Sequence, residues 1–370
     1  MKYYIIAGEA SGDLHGANLM NALCQEDPKA DIRFWGGDLM QATGGTLVKH
    51  YKDLAFMGFI EVLFNLKTIL NNISIAKKDI LEFQPDVIVF IDYPGFNLRI
   101  AKWAKNLGIK THYYISPQIW AWKENRITDI KRDVDKMYVI LPFEKDFYEN
   151  KHHYPVNFVG HPLIDAIHNQ PQVDGAIFRK ENNLNDQPII AILPGSRKQE
   201  ITKMLSLMLS IVHDFPDYQF VIAGAPSQEF SFYEKFITNN NIKFISNKTY
   251  SLLQIATAAL VTSGTATLET ALFKVPEVVC YKGSWASYQI AKRIITLRYI
   301  SLVNLIMDQE VVTELIQDNC TSQRIKEELT KILEGDQRAK LLAQYDQLEQ
   351  KLGGKGASQK TAQLIVADLK

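Results

Sequence analysis

The sequence predicts an α/β fold built from two doubly wound parallel-sheet domains. Short runs rich in β-branched and aromatic residues alternate with longer helical patterns, which is typical of parallel sheets with helices on both faces. At 370 residues the chain is too long for one ordinary hydrophobic core. A strand, a glycine-bearing turn and a helix occur at the start of the chain and again near its middle. This repeated pattern predicts one such domain in each half of the chain.

The predicted strands are short, apolar and bounded by polar or turn-forming residues. In chain order they are Tyr3–Ala7, Asp86–Ile91, Thr111–Ile115, Lys136–Leu141, Val156–Gly160, Ile189–Leu193, Gln219–Ala223, Ala258–Thr262 and Glu277–Tyr281. Ligands bind beyond the carboxyl ends of such strands. Two domains of this kind facing each other therefore predict one cleft between them, and we expect the chemistry to occur there.

Linker and glycine signals give the domain boundaries. Gly160-His161-Pro162 and the polar residues after it predict a linker, which places the boundary near residue 165 and gives domains at 1–165 and 166–345. The last segment, 346–370, is predicted to be helical, with a break at the glycine-rich residues 353–356 and a final helix from 357 to the end. We expect this segment either to pack back on the first domain or to be exchanged in a dimer.

Composition and charge exclude several classes of function. Lys and Arg total 41, as do Asp and Glu, so no overall positive field favours nucleic acid. Cys24, Cys280 and Cys320 lie far apart and outside metal-ligand spacing, which predicts reduced thiols and no metal site. The first apolar run has the length of a strand, and no run approaches the ~18 residues that cross a bilayer. We therefore expect a cytoplasmic protein without a signal peptide.

The first glycine turn is acidic. Strand Tyr3–Ala7 runs into Gly8-Glu9-Ala10-Ser11-Gly12-Asp13, so two carboxylates stand where a phosphate would otherwise bind a helix N-terminus. A phosphate would be repelled there. The turn therefore predicts a site for a hydroxyl-rich acceptor, with Glu9 and Ser11 on that side and Asp13 as a helix cap.

Residues 56–66 are apolar around most of a helical wheel, which is more than one core-facing stripe requires. This segment is predicted either to grip acyl chains or a membrane interface, with nearby lysines for anionic head groups, or to be a helix buried between its neighbours. The candidate contact residues are Met57, Phe59, Ile60, Val62, Leu63 and Phe64.

Asp92 follows the apolar strand that ends at Ile91, so its carboxylate is expected at the carboxyl end of a central strand. A carboxylate in this place can take a proton from an incoming hydroxyl as a general base. The alternative is that Asp92 caps the turn before the helix predicted from Asn97. Trp120, in Trp120-Ala121-Trp122, either lines an acceptor groove or packs in the interior.

The second glycine turn carries positive charge instead. Strand Ile189–Leu193 runs into a turn whose backbone N–H groups, hydroxyl and guanidinium suit a diphosphate, and Ser263-Gly264-Thr265 begins a second helix after strand Ala258–Thr262. Glu269, about one turn into that helix, is placed to accept hydroxyls of a ribose. Ordinary capping by Thr265, with Glu269 as a first-turn acid, is the alternative. The candidate nucleotide-binding residues of these two turns are Gly195, Ser196, Arg197, Ser263, Gly264, Thr265 and Glu269.

Seven motifs together resemble those of the lipid-A-disaccharide synthase family in order and spacing, over nearly the whole chain. The run from Ser116 to Trp122 is the most specific of them. The motifs are Gly8-Glu9-Ala10-Ser11-Gly12-Asp13, Met57-Gly58-Phe59-Ile60-Glu61-Val62, Ser116-Pro117-Gln118-Ile119-Trp120-Ala121-Trp122, Leu141-Pro142-Phe143-Glu144, Gly160-His161-Pro162, Leu193-Pro194-Gly195-Ser196-Arg197 and Ser263-Gly264-Thr265-Ala266-Thr267-Leu268-Glu269.

The resemblance implies a GT-B glycosyltransferase with a UDP-sugar in the C-terminal domain, a lipid acceptor in the N-terminal domain, and no metal or other cofactor. The implied reaction joins UDP-2,3-diacylglucosamine to 2,3-diacylglucosamine 1-phosphate, releases UDP and forms the β-1,6-linked lipid A disaccharide with inversion. It further implies peripheral association with the inner face of the cytoplasmic membrane. By position, Arg197 would contact the diphosphate, Glu269 the ribose and Asn304 the donor.

One position departs from the family pattern. The family commonly has Asp-x-Pro-Asp-Phe-Asn after the central strand, and its second aspartate is a favoured candidate base, whereas this chain has Gly95 there. Asp92 is then the nearest carboxylate, with Glu9 next. A mechanism that rests mostly on stabilisation of the leaving group is the alternative.

The sequence leaves two other functions open. A UDP-N-acetylglucosamine 2-epimerase has the same architecture and UDP site but needs no lipid acceptor, and the apolar segment 56–66 argues against it. A non-catalytic UDP-sugar or lipid-binding protein is the other, motivated by Gly95.

Overall fold

The computed structural model of the protein describes residues 1–53, 66–225, 228–283 and 298–370. They form two compact units, one of Met1–Ala166 with Leu352–Lys370 and the other of Ile167–Lys351. The division at Ala166 lies next to the predicted boundary. The six predicted apolar contact residues between Met57 and Phe64 lie outside the described residues.

The first unit contains a seven-stranded sheet. Its strands are β1 (Lys2–Ala7), β2 (Asp31–Gly36), β3 (Thr46–His50), β4 (Val87–Ile91), β5 (Lys110–Tyr114), β6 (Lys136–Val139) and β7 (Asn157–Phe158). Their order is β3-β2-β1-β4-β5-β6-β7, and neighbouring strands pair in parallel. The connections run one way from β1 and the other way from β4, so the topological switch point lies between these two strands.

The second unit contains a six-stranded sheet. Its strands are β8 (Ile189–Leu193), β9 (Gln219–Gly224), β10 (Ile242–Ser246), β11 (Ala258–Thr262), β12 (Glu277–Tyr281) and β13 (Thr313–Ile316). The order is β10-β9-β8-β11-β12-β13, again with parallel pairing. Here the switch point lies between β8 and β11. Both sheets confirm the predicted α/β class.

Helices connect the strands in both units. The α-helices are α1 (Ala10–Glu26), α2 (Asp38–Ala42), α3 (Leu66–Phe83), α4 (Pro94–Asn106), α5 (Ile127–Asp133), α6 (Pro142–Asp146), α7 (Pro162–His168), α8 (Gly175–Glu181), α9 (Lys198–Leu209), α10 (Phe230–Glu234), α11 (Thr249–Ile255), α12 (Thr265–Leu272), α13 (Leu302–Met307), α14 (Ser322–Leu333), α15 (Gly335–Lys351) and α16 (Ala357–Leu369). Short 3₁₀ turns and one π-helical turn fill several connections. Among the helices that the structure describes, none is both long and apolar enough to span a membrane.

The central strands form the core of each unit because they are apolar on both faces. All residues of β4, β8 and β11 are buried. A strand that is covered by helices on both sides loses its alternating polar pattern, which is why these strands appear as continuous apolar runs in the sequence.

The C-terminal segment lies on the first unit of the same chain. Helix α16 packs against α1, and the Gly356 N–H donates to Asp165 Oδ1 at 2.6 Å. The Gln359 side chain donates to Glu26 Oε1 at 2.5 Å. These contacts put residues from Leu352 onward in the first unit, whereas the preceding helix α15 belongs to the second.

Candidate active-site residues

The second unit brings the two predicted nucleotide-binding turns together. They follow β8 and β11, which are hydrogen-bonded neighbours at the switch point. A Cβ placed on Gly195 would lie 3.6 Å from Thr262 Cγ2, so the two turns are in direct proximity. This is the place where ligands bind in doubly wound sheets.

Gly195 is required by the backbone of its turn. Its φ of +99° lies in the left-handed region, which residues that have a Cβ adopt only at a cost in free energy. A Cβ there would also lie 3.0 Å from Glu200 Oε2. The glycine thus lets the chain pass close to the first turn of α9.

Both helices that follow these turns begin without a side-chain cap. Arg197 is the N-cap of α9 and Gly264 the N-cap of α12, and neither supplies a capping hydrogen bond. The alternative in which Thr265 caps α12 is therefore wrong, because Thr265 is already the first helical residue. Uncapped N-termini leave backbone N–H groups for an anionic ligand.

The Arg197 side chain is exposed and can contact a ligand. Its side chain is 72% exposed, and its Nη1 lies 3.7 Å from Glu200 Oε1, which is a loose surface ion pair. The Ser263 hydroxyl, in contrast, donates its proton to the Ile300 carbonyl at 3.0 Å. Ser263 is thus tied to the chain that precedes α13, and its turn offers backbone groups rather than a hydroxyl donor.

Glu269 lies in α12 and is half-buried. Burial raises the pKa of its carboxyl, and the hydroxyl of Tyr250 partly offsets this by donating to Glu269 Oε1 at 2.8 Å. The Tyr250 contact fixes one carboxylate oxygen and leaves the other for a ligand. Tyr250 lies 19 residues earlier in the chain, and no sequence pattern links the two side chains.

Asn304 plays a different part from the one expected. Its fully buried side chain donates to the Val312 carbonyl and to Glu314 Oε1, and its Oδ1 accepts from the N–H groups of Val311 and Val312, all within 2.9 Å. These four bonds use the whole capacity of the amide. Asn304 therefore organises α13 and β13 instead of offering its side chain to a donor.

The first unit likewise brings its two predicted acidic residues together. The turns after β1 and β4 meet at the switch point, where a Cβ on Gly8 would lie 2.3 Å from the Tyr93 ring. Glu9 is the N-cap residue of α1, in extended conformation and without a capping bond. Its charge acts on Asp92 across this contact.

Asp92 is half-buried in an uncommon backbone conformation. Asp92 and Tyr93 have φ of +44° and +49°, and Tyr93, not Asp92, is the N-cap of α4. Burial, and next the Glu9 charge, raise the pKa of Asp92 to about 6, against a smaller opposing effect of the Tyr93 N–H. The Asp92 carboxyl contacts the turn before α4 through the Tyr93 N–H without being the N-cap residue of that helix. A carboxyl whose pKa is raised to about 6 suits a general base.

Two other predicted residues of this region prove structural or exposed. The Asp13 carboxylate is buried and accepts from the N–H groups of Gly37, Leu39 and Met40, so it caps α2. Ser11 is exposed in the first turn of α1. Asp13 is thus unavailable for chemistry.

Trp120 is half-buried and packs within the first unit. Its indole N–H donates to Glu144 Oε1 at 3.2 Å, and its ring meets Phe143 edge to face at 4.8 Å. The buried Glu144 also accepts from the Ser116 hydroxyl at 2.6 Å. The neighbouring Trp122 is the exposed tryptophan of this run, with the Lys123 ammonium 4.3 Å from its ring centre.

Within the described ranges, no group of three or more His, Cys, Asp or Glu side chains is arranged to hold a metal ion.

Gly95 is exposed, and a Cβ there would meet nothing within 4 Å. That the two parts of the site face each other across a cleft stays a prediction.

Comparison with known sequences gives consistent matches. A family model described as lipid-A-disaccharide synthetase matches residues 3–367. A lipid-A-disaccharide synthase of Idiomarina loihiensis is 39% identical over 375 residues, which covers 98% of this chain and 97% of that protein. One of Coxiella burnetii is 39% identical over 367 residues, covering 98% and 96%.

Solved structures resemble the fold at low identity. A UDP-GlcNAc 2-epimerase of Neisseria meningitidis bound to UDP-GlcNAc matches with a TM-score of 0.65 at 14% identity, over 100% of this chain and 99% of that one. The glycotransferase of kitacinnamycin matches with a TM-score of 0.68 at 13% identity, over 100% and 99%. At this identity the matches establish the GT-B fold alone.

Proposed function

The chain belongs to the lipid-A-disaccharide synthase family, and from that premise we propose how its two units divide the reaction. It is a glycosyltransferase that forms the lipid A disaccharide. The proposed donor is UDP-2,3-diacylglucosamine and the proposed acceptor is 2,3-diacylglucosamine 1-phosphate. The first unit would bind the acceptor and the second the UDP-sugar.

The contrast between the two switch points carries this proposal. In the first unit, the switch point holds two carboxylates, of which Asp92 has a pKa near 6. In the second, it holds two uncapped helix N-termini and the exposed guanidinium of Arg197. The first arrangement suits proton removal from a hydroxyl, and the second suits a diphosphate.

The proposed reaction is a single displacement at the donor carbon. The Asp92 carboxylate accepts the proton of the acceptor 6-hydroxyl as that oxygen forms a bond to C1 of the donor sugar. The bond between C1 and the diphosphate oxygen breaks, and UDP leaves with the electron pair. Attack from the face opposite the leaving group inverts C1 and gives the β-1,6 linkage.

Stabilisation of the departing UDP falls to the second unit. Arg197 and the backbone N–H groups that begin α9 and α12 would bind the charge that develops on the diphosphate. The Glu269 carboxylate, held by Tyr250, would accept the ribose hydroxyls. We propose that no cofactor takes part, since the chain's own groups supply both proton transfer and charge stabilisation.

Lipid substrates further suggest that the protein works at the inner face of the cytoplasmic membrane as a peripheral protein. Helix α3 exposes three large apolar side chains, Leu70 at 61%, Leu81 at 55% and Ile75 at 37%. Lys77 and Lys78 lie on the same helix. Apolar side chains with nearby lysines are the combination that an anionic lipid surface binds.

Incubation of the purified protein with both lipid substrates tests the proposal. We expect disaccharide and UDP in equal amounts, with no UDP release when the acceptor is omitted. Tight UDP binding without disaccharide would contradict a catalytic role. An epimer formed from the donor alone would instead favour the activity of the structural neighbours.

A further inference from the structure

The carbonyl group of Asp92 is gripped by two buried side chains. Asn97 Nδ2 donates to this oxygen at 2.7 Å, and the Tyr113 hydroxyl donates to it at 2.6 Å. On the other side of the residue, the Asp92 N–H donates to the Tyr114 carbonyl at 3.2 Å. The backbone is therefore fixed on both sides of the Asp92 side chain.

These hydrogen bonds stabilise a left-handed backbone conformation that residues other than glycine rarely adopt. Asp92 and Tyr93 both lie in the left-handed region although neither is glycine. Non-glycine residues persist there only where the surroundings over-determine them, and they concentrate at functional sites. The two side-chain hydrogen bonds to the Asp92 carbonyl act directly on this turn, together with the bond from the Asp92 N–H to the Tyr114 carbonyl.

Asn97 also ties the turn to the strands beneath it. The side chain is fully buried, and its Nδ2 lies 3.3 Å from the Ile91 carbonyl and 3.4 Å from the Ile6 carbonyl. Its Oδ1 is buried and has no hydrogen-bond partner in the described part of the chain. A flipped amide would place Oδ1 against three carbonyl oxygens, so this orientation is the favourable one.

Tyr113 is held just as firmly. Its side chain is fully buried in β5, and its ring lies 5.7 Å from that of Phe90 in the neighbouring strand. The ring cannot swing away without disrupting the core, so the hydroxyl stays beneath the Asp92 carbonyl. The bond length of 2.6 Å indicates a well-formed hydrogen bond.

We propose that Tyr113 and Asn97 are positioning residues that hold the Asp92 carboxylate in place for proton removal, an inference that rests on the function proposed above. Both act through the Asp92 backbone. A misplacement of about 1 Å in such a group is enough to cost on the order of a hundredfold in rate.

The ionisable groups around Asp92 give the proposal a second readout. They are Glu9 from the turn after β1, Tyr93 at the start of α4 and Tyr113 from β5. Burial and Glu9 both raise the pKa of Asp92. A loosened turn would let water reach the carboxylate and move it away from Glu9, so its pKa would fall toward the ordinary value.

Tyr113→Phe tests the proposal with the ring retained. We expect kcat to fall by about tenfold to a hundredfold while KM and the Kd for UDP change by less than about threefold. The acidic limb of the kcat–pH profile should move to lower pH. A merely structural tyrosine would not shift that limb.

Tyr154→Phe is the matched control. The Tyr154 side chain is also buried in the first unit, and its hydroxyl donates to the Val134 carbonyl at 2.7 Å. We expect a comparable drop in melting temperature from both variants but a parent-like kcat only from Tyr154→Phe. Parent-like kcat in Tyr113→Phe, or a loss of kcat without movement of the acidic limb, would overturn the positioning role.

Asp92→Asn, assayed in parallel, separates this inference from the proposed function. Parent-like turnover of Asp92→Asn would sink the base assignment itself. An inactive Asp92→Asn beside a fully active Tyr113→Phe would leave the base assignment standing and overturn only the positioning role.

Discussion

Asp92 and Glu144 are both carboxylates of the first unit, yet their surroundings give them different roles. The Glu144 carboxylate accepts from two side chains and from the N–H groups of Ile140 and Leu141, so its oxygens are fully engaged. Asp92 has burial and a neighbouring Glu9 charge instead. With the Tyr93 N–H as an opposing contact and a pKa raised to about 6, the Asp92 carboxylate suits proton transfer, whereas Glu144 holds the chain around Trp120.

The pKa of Asp92 predicts the pH dependence of turnover. The base must be ionised to accept a proton, and burial with the Glu9 charge raises its pKa to about 6. We therefore expect kcat to rise with pH through about 6 and to level off above it. In Glu9→Gln the rise should move to lower pH, because one of the two causes of the raised pKa is removed. A kcat that is flat between about pH 5 and 8 contradicts this.

Arg197→Ala should weaken donor use without affecting the fold. Loss of a charge-assisted hydrogen bond to the diphosphate costs about 1.5–3 kcal/mol, or roughly tenfold to over a hundredfold in kcat/KM. Arg324→Ala is the matched control, since Arg324 is an exposed arginine of the same unit that also pairs with a glutamate three residues on. Equal kinetics of the two variants would remove Arg197 from the site.

The sequence predicts candidate residues that are marked by their immediate neighbours in the chain. It does not predict residues whose role depends on a partner far away in the chain. Asp92 and Glu9 are candidates because Asp92 directly follows an apolar strand and Glu9 lies in the glycine turn after another. Tyr113 and Tyr250 contact their carboxyl or carbonyl partners from 21 and 19 residues away, and an isolated tyrosine carries no sequence pattern. The four internal hydrogen bonds of the Asn304 side chain likewise cannot be read from its local motif.

Helix ends are the elements on which the candidate site depends. At the switch point of the second unit, the strand–turn–helix pattern that the sequence predicts becomes two neighbouring helices, α9 and α12, that begin without a side-chain cap. In the first unit, the corresponding helix α4 begins with Pro94 after a turn in the left-handed region. The same element order thus gives two uncapped helix N-termini in one unit and two carboxylates in the other.

Two glycines at the ends of α4 give a test of this description. A Cβ would meet open space at both Gly95 and Gly108, but only Gly108 has a left-handed φ, +75°. Gly95→Ala should therefore raise the free energy of unfolding by about 0.5–1 kcal/mol, because glycine within a helix is unfavourable. Gly108→Ala should lower it. Urea unfolding measures both, and changes of the same sign would contradict the assigned helix bounds.

Strands were predictable where both faces are covered and less so at sheet edges. The bounds of β8, β11 and β12 agree with the predicted ones, since each strand is mostly apolar and almost wholly buried. The missed strands β3, β10 and β13 are all edge strands and only partly buried. An edge strand retains polar residues, so its sequence resembles that of a loop. The interior strand β2 was also missed.

At the scale of the whole molecule, two parallel sheets with the same kind of switch point have different residues in the turns at that point: carboxylates in the first unit, and an arginine with uncapped helix N-termini in the second. Their order and parallel pairing follow from the alternation of strands and helices. The GT-B fold was inferred from a family resemblance, and the comparisons confirm it. The place of residues from Leu352 onward could not be decided from sequence, because a helix after a glycine break can pack on either domain.

The free energy of unfolding should depend on pH through one buried carboxyl group outside the candidate site, that of Glu277. Glu277 is buried in β12, neither carboxyl oxygen has a partner among the described residues, and burial raises its pKa well above the usual value. The folded protein thus keeps a proton that the unfolded chain loses above about pH 4.3. The contribution of this raised pKa to the free energy of unfolding is fully present below the pKa of Glu277 in the unfolded chain. It is lost as pH rises toward the pKa of Glu277 in the folded protein.

Glu277→Gln should remove that dependence. Its free energy of unfolding should exceed that of the parent by a margin that grows between about pH 5 and 8, as measured by urea unfolding. Glu334→Gln, an exposed change in the same unit, should run parallel to the parent. A Glu277→Gln curve parallel to the parent would show that this carboxyl is not protonated in the fold.

The division of labour between the units is tested most directly by measuring disaccharide turnover and the Kd for UDP together in Asp92→Asn. We predict that turnover falls by about 10²–10⁴, as loss of a general base usually gives, while the Kd for UDP stays within about twofold of the parent. Parent-like turnover in this variant, with Glu9→Gln inactive instead, would contradict the account.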